Sequence, residues 1–147
     1  MGWPWTAAFC VIGILGAGVA AHAAGSDECP AGQKVEPATL FQAFADQLLV
    51  RKDARGAYET FAAAGMVQRN PPFGATRDST IVQWEKMTGM PDSRFTIETL
   101  AVNDGVGVVR FHGQLKAGEP GAVITQHDRL RCGKIVEEWA EFSAGAK

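Results

Sequence analysis

Hydrophobic and polar positions along the chain follow two periods, and the change falls near Gly89. Upstream, the spacing is helical. In PATLFQAFADQLLV (37–50), Leu40, Phe41, Phe44, Leu48 and Leu49 recur at helical intervals and form one apolar face. Pro37 suits the first helical position, where its missing N–H would have no partner anyway. DARGAYETFAAAG (53–65) predicts a second helix capped by Asp53, with Ala54, Ala57, Tyr58 and Phe61 inward and Gly65 as its stop. MVQRNPPFG (66–74) reads as a short strand running into a Pro-Pro loop, because Pro71 halts helix and ladder alike. A third helix starts from Thr76 or Asp78, carries Ile81 and Trp84, and runs through Met87 to a stop at Gly89.

Downstream, the period is two. SRFTIETLAVN (93–103), GVGVVRFHGQL (105–115), GAVITQHDRLR (121–131) and KIVEEWAEF (134–142) are rich in β-branched and aromatic residues. The turn-forming NDG, KAGEPG and CG separate them. Loops this short between successive strands imply an antiparallel meander. Helices followed by a meander give an α+β plan with the helices packed on one sheet face. Strand alternation groups Val136, Glu138, Ala140 and Phe142 on one face of the last strand, with Ile135, Glu137, Trp139 and Glu141 on the other.

The N-terminus departs from both patterns. TAAFCVIGILGAGVAA is uncharged and apolar and runs into AHAAG, the pattern of an export signal cut after Ala23 or Ala24. An uncleaved anchor is the alternative, although the run is shorter than the roughly 20 apolar residues of a spanning helix. The expected organisation is a signal peptide (1–24), an extended lead-in (25–36) and one domain (37–147), exported to the periplasm or secreted. No stable membrane insertion is expected after cleavage.

Export bears on the cysteines. Cys10 leaves with the leader, and Cys29 and Cys132 remain in an oxidising compartment, where a pair is normally bridged. Cys132-Gly133 occupies a two-residue hairpin turn that ordinarily takes Asn-Gly, Asp-Gly or Gly-Gly. A disulfide to Cys29 explains the thiol there; two free cysteines are the alternative. It would close a loop of about 100 residues and contribute on the order of 4–5 kcal/mol on the chain-entropy model. Neither cysteine has a second Cys or His at ligand spacing, so no metal site is expected.

Lys and Arg number 14 against 16 Asp and Glu, with a pI near 5.9, which leaves no basic excess for a phosphate backbone. Nucleic acid is therefore not an expected partner. Neither GxGxxG nor GxxxxGK[ST] occurs, and no cofactor is expected.

Two stretches carry a family resemblance. MVQRNP (66–71) is similar to a strand reading aromatic-Ile-Gln-His-Asn-Pro. HDRLRCGKIVEEWAEF (127–142) is similar to an ending in which an Asp, an Arg and a Gly-Lys-Ile turn lead into Glu-His-Trp-Asp. NDGVGVVRFHG (103–113) fits a middle strand that often bears a His. Over Pro37 to Phe142 the chain resembles the SnoaL-like branch of the nuclear transport factor 2-like superfamily. The resemblance implies a cone-like α+β fold, with three N-terminal helices packed on a strongly bent, mainly antiparallel sheet enclosing a pocket. It also implies a possible homodimer. The departures touch chemistry: Arg69 stands where the family has His, and Glu138, Trp139 and Ala140 stand where it has His-Trp-Asp. If the acidic residue of the branch's polyketide cyclases is the Asp after Trp, Ala140 replaces it. Glu138, two residues earlier and on the same face, can stand in.

Glu138 amid apolar neighbours is thus the first candidate, since a desolvated carboxyl has its pKa raised toward the range useful for proton transfer; a solvated rim Glu is the plain alternative. His112 and His127 are the strand histidines that could act as general bases. Of Gln126 and His127 only one can face inward, and the same holds for Arg69 and Asn70, with Gln68 on Asn70's side. Arg69 would bind an anion or an enolate, or else pair with Asp128 or Asp46. Trp84, Phe111, Phe95, Tyr58 and Trp139 are core aromatics, some of which line any cavity. The expected partner is a small apolar or carbonyl-bearing ligand, either bound in a pocket or turned over by cofactor-free acid/base chemistry of cyclase, isomerase or hydratase type. In the second case Glu138 shuttles the proton and a His or Arg69 polarises the oxygen.

Overall fold

The computed structural model describes Cys29 and residues 35–144. The expected signal peptide with Cys10, and all of the lead-in except Cys29, Val35 and Glu36, lie outside the described residues.

Helix α1 (Pro37–Ala45) opens on the Glu36 carboxylate, which accepts from the backbone N–H groups of Ala38 and Thr39 at 2.7 and 3.0 Å. It continues as a π-helical turn, Asp46–Val50, whose wider loop brings the adjacent Leu48 and Leu49 both into the core. Helix α2 (Ala54–Phe61) is capped by Asp53 through Gly56 N–H. The expected stop at Gly65 is wrong. Ala62 is already extended (φ −100°, ψ 144°), and Ala62–Gln68 forms strand β1 with Gly65 inside it. The residues AAAG favour helix locally, but pairing with the last strand overrides that preference and buries Ala62, Met66 and Gln68. Helix α3 (Arg77–Thr88) is capped by Thr76, in a reciprocal capping box with Ser79, and ends at Gly89.

Strands β2 (Arg94–Asn103), β3 (Val106–Gln114), β4 (Ala122–Arg131) and β5 (Lys134–Ala144) form the expected antiparallel meander. β1 adds to it in parallel beside β5, giving the order β1-β5-β4-β3-β2. The turns at Asp104-Gly105 and Cys132-Gly133 hold both residues at positive φ (49° and 72°, 47° and 71°), the conformation that matches strand twist. Cys132 is bridged to Cys29.

The helices cover one sheet face. Phe41, Phe44, Leu48, Leu49 and Tyr58 meet Ile81, Trp84, Val109, Phe111 and Ile135 in one core. A Cβ on Gly107 would sit 2.6–2.7 Å from the Phe41 ring, so this glycine lets α1 lie against β3.

One irregularity decides the site. Leu130 pairs with Ile135, but Arg129 pairs with Glu137, so Val136 is bulged out of the ladder. Ile135, rather than Val136, therefore shares the buried face with Glu138, and strict alternation fails across that residue.

Candidate functional site

A cavity of about 150 Å³ lies between α3 and residues of β2, β3, β4 and β5. Its wall is apolar: Phe73, Trp84, Met87, Phe95, Phe111, Leu115, Ile124 and Phe142 contribute most of it. Phe142 is exposed at the rim, whereas Trp84, Phe111, Gln126 and Glu138 are buried at the closed end.

Glu138 is 3% exposed. Its Oε2 accepts from the Tyr58 hydroxyl at 2.6 Å, and its Oε1 accepts from Gln68 Nε2 at 2.7 Å. Helix α2, strand β1 and strand β5 each supply one of these groups. Gln68 in turn accepts from Asn70 N–H at 2.8 Å. The Asn70 amide behaves as an extra ladder rung: Nδ2 donates to Ala140 O at 2.9 Å and Oδ1 accepts from Ala140 N–H at 2.6 Å. Chain and carboxylate are thus held in register with each other.

Asp128 stands opposite Glu138 in the β4–β5 ladder and is fully buried. Its Oδ2 accepts from Gln126 Nε2 at 2.9 Å, while Oδ1 has no donor because its neighbour is the Glu138 carboxyl. Burial raises the Asp128 pKa well above the carboxylate range, and the Glu138 charge raises it further. Burial also raises Glu138, to about 6, against the lowering effect of hydrogen bonds from Tyr58, Gln68 and Asp128. Burial and mutual repulsion both disfavour ionising the two carboxyls together, so the pair holds on to a proton. Tyr58, pushed well up by burial and by the two carboxyls, stays a neutral donor. The Trp84 indole N–H is close to the same hydroxyl without meeting hydrogen-bond geometry.

The remaining candidates separate by face. Asn70, Trp84, Phe111, Gln126 and Glu138 line the cavity. His127 and His112 lie on the opposite side of the sheet and do not reach Glu138. His127 stacks on Trp139 with ring centroids 5.1 Å apart and its Nε2 lies 4.0 Å from Glu141. His112 Nε2 is bonded to Pro120 O at 2.8 Å. Arg69 also points outward. It pairs with Glu137 at 2.7 Å, neither with Asp128 nor with Asp46, and Glu137 is held below its usual range by Arg69 and Arg129. Arg69, His112 and His127 are thus held by partners on the outer face and are not placed to polarise an oxygen beside Glu138.

Sequence reasoning missed Asp128 as a site member and read Tyr58 as a core or cavity-lining aromatic, without its hydrogen bond to Glu138. Among the described residues, no group of three His, Cys, Asp or Glu is placed to hold a metal ion.

The fold is similar to that of solved NTF2-like and SnoaL-like proteins. An NTF2-like protein of unknown function from Mesorhizobium loti superposes with TM-score 0.60 at 18% identity, covering 75% of this chain and 96% of that one. A SnoaL-like protein of unknown function from Burkholderia thailandensis E264 gives 0.58 at 13% identity, covering 74% and 100%. A proposed isomerase of the SnoaL-like family from Agrobacterium tumefaciens strain C58 gives 0.58 at 16%, covering 72% and 99%. No family model and no curated protein matches the sequence.

Proposed function

We propose that this protein is an exported, cofactor-free acid/base enzyme acting on a small apolar carbonyl compound, with Glu138 as the proton shuttle. One observation carries the reading: Glu138 is both part of the cavity wall and the buried centre of a proton-sharing cluster with Asp128 and Tyr58. A carboxyl of pKa about 6 can accept a proton near neutral pH and return it. Tyr58 and the protonated Asp128 steady its charged form. Gln126 gives one amide hydrogen to Asp128 and keeps a second with which to polarise a substrate oxygen at the cavity wall. A cavity of about 150 Å³ suits a benzene-sized guest, and the helices and sheet would form the cone around it. Export is supported by the apolar leader and by the Cys29–Cys132 bridge. Among the described residues no helix is long and apolar enough to cross a membrane. Isomerisation fits this chemistry, and one protein of similar fold is described as a proposed isomerase.

The test is α-proton exchange of a small ketone such as cyclohexanone in heavy water, followed by NMR. The wild type should accelerate exchange and Glu138→Gln should lose the acceleration. Equal rates would remove the enzyme reading. They would favour a pocket that holds its ligand unchanged, a second reading favoured by the outward placement of both histidines and Arg69.

A further inference from the structure

The cavity contains negative charge with nothing positive to balance it. Of its lining residues, Glu138 is the one that ionises, and none is Lys, Arg or His. Asp128, paired with Glu138 across the ladder, supplies no positive charge either. The nearby guanidinium groups are committed elsewhere: Arg69 and Arg129 both bind Glu137 on the outer face, and Arg129 also lies over Trp139. The donors that hold the Glu138 carboxylate, Tyr58 and Gln68, carry no formal positive charge, so whatever enters meets a field of one sign.

The rest of the wall suits the opposite charge. Phe73 and Trp84 (centroids 6.0 Å apart), Trp84 and Phe95 (5.8 Å), Trp84 and Phe111 (6.1 Å), and Phe95 and Phe111 (6.3 Å) form one continuous aromatic cluster around the cavity. Aromatic faces carry negative electrostatic potential and attract cations most strongly where water is excluded, Trp most of all. A carboxylate at the floor and four contiguous rings in the wall therefore act in the same direction.

We infer that the carbonyl compounds this site takes are small organic cations, apolar bodies of about benzene size that also carry a protonated amine, in preference to neutral or anionic compounds of the same shape. This rests on the reading of Glu138 as the ionisable group of the site and adds the class of compound admitted. The ammonium lies against the rings while the apolar body fills the cavity, and a carboxylate-bearing compound is repelled.

Isothermal titration at neutral pH with benzylammonium, benzyl alcohol and benzoate tests it. Benzylammonium should bind at least about tenfold more tightly than benzyl alcohol, and benzoate should not bind. In Glu138→Gln that preference should fall to within about threefold while benzyl alcohol still binds, which also shows that the variant is folded. Trp84→Phe should weaken benzylammonium more than benzyl alcohol. Equal binding of amine and alcohol, binding of benzoate, or absence of amine binding overturns the inference. Loss of ketone exchange in Glu138→Gln without an amine preference would leave the acid/base reading standing. An amine preference without exchange would do the reverse.

Discussion

Asp128 faces Glu138 across the β4–β5 ladder, although counting back from the Cys132-Gly133 turn without a bulge puts His127 there. Two buried carboxyls in such contact share protons rather than ionise together. Asp128→Asn keeps a hydrogen donor toward Glu138, so the Glu138 titration should barely move. Asp128→Ala removes the donor, and the Glu138 pKa should rise above its value of about 6. Carbon-detected NMR of the Glu138 carboxyl distinguishes these; identical titrations in both variants would show that Asp128 does not direct its proton there.

Stability should depend on pH with a sign set by the same pair. Glu138 has a folded pKa of about 6 against 4.5 ordinarily. Its contribution is fully present below about pH 4.5 and is lost as pH rises through about 6, because the unfolded chain releases the proton first. The loss is on the order of 2 kcal/mol, and Asp128, raised in the same direction, acts with the same sign. Glu137 and Asp53 are lowered instead, so their effects fall below the ordinary carboxylate range. Denaturant titrations at several pH values should show Glu138→Gln flattening the decline. An unchanged slope would contradict the assignment.

Tyr58→Phe deletes the 2.6 Å bond to Glu138 Oε2. About 1.5–3 kcal/mol should be lost where Glu138 is charged, and less where it is protonated. A pH-independent loss, read from denaturant midpoints, would mean that the hydroxyl serves only packing.

Gly107→Ala should destabilise by about 1–3 kcal/mol, since the added methyl meets the buried Phe41 ring. An unaltered melting temperature would show that α1 can shift away from β3 without loss.

Opening the Cys29–Cys132 bridge, by reductant or by Cys132→Ser, should lower stability by about 2–5 kcal/mol, in line with its separation of 103 residues. A melting temperature unmoved by reductant would show that the loop is constrained by packing alone.

The sequence makes the fold legible wherever burial follows one period. The faces of α1 and α3 and the alternation within β3 and β4 could be read directly, because Phe41, Phe44, Ile81, Trp84 and Phe111 are buried as their spacing requires. What escaped depended on a partner strand. AAAG reads as helix until β5 is present to pair with it. Val136 reads as inward until the register with β4 shifts by one residue. That shift places Asp128, instead of His127, beside Glu138, and it has no local signature. Buried acids on adjoining strands of a hairpin were the available clue, and the bulge concealed their alignment.

The strap between Cys29 and Cys132 has one further consequence. A single peptide-bond cut anywhere between these two residues yields two fragments that remain one molecule. Nicking an exposed loop would therefore neither shed a piece nor dilute it, and Tyr58, Gln68, Asp128 and Glu138 could find one another again as intramolecular neighbours after denaturation.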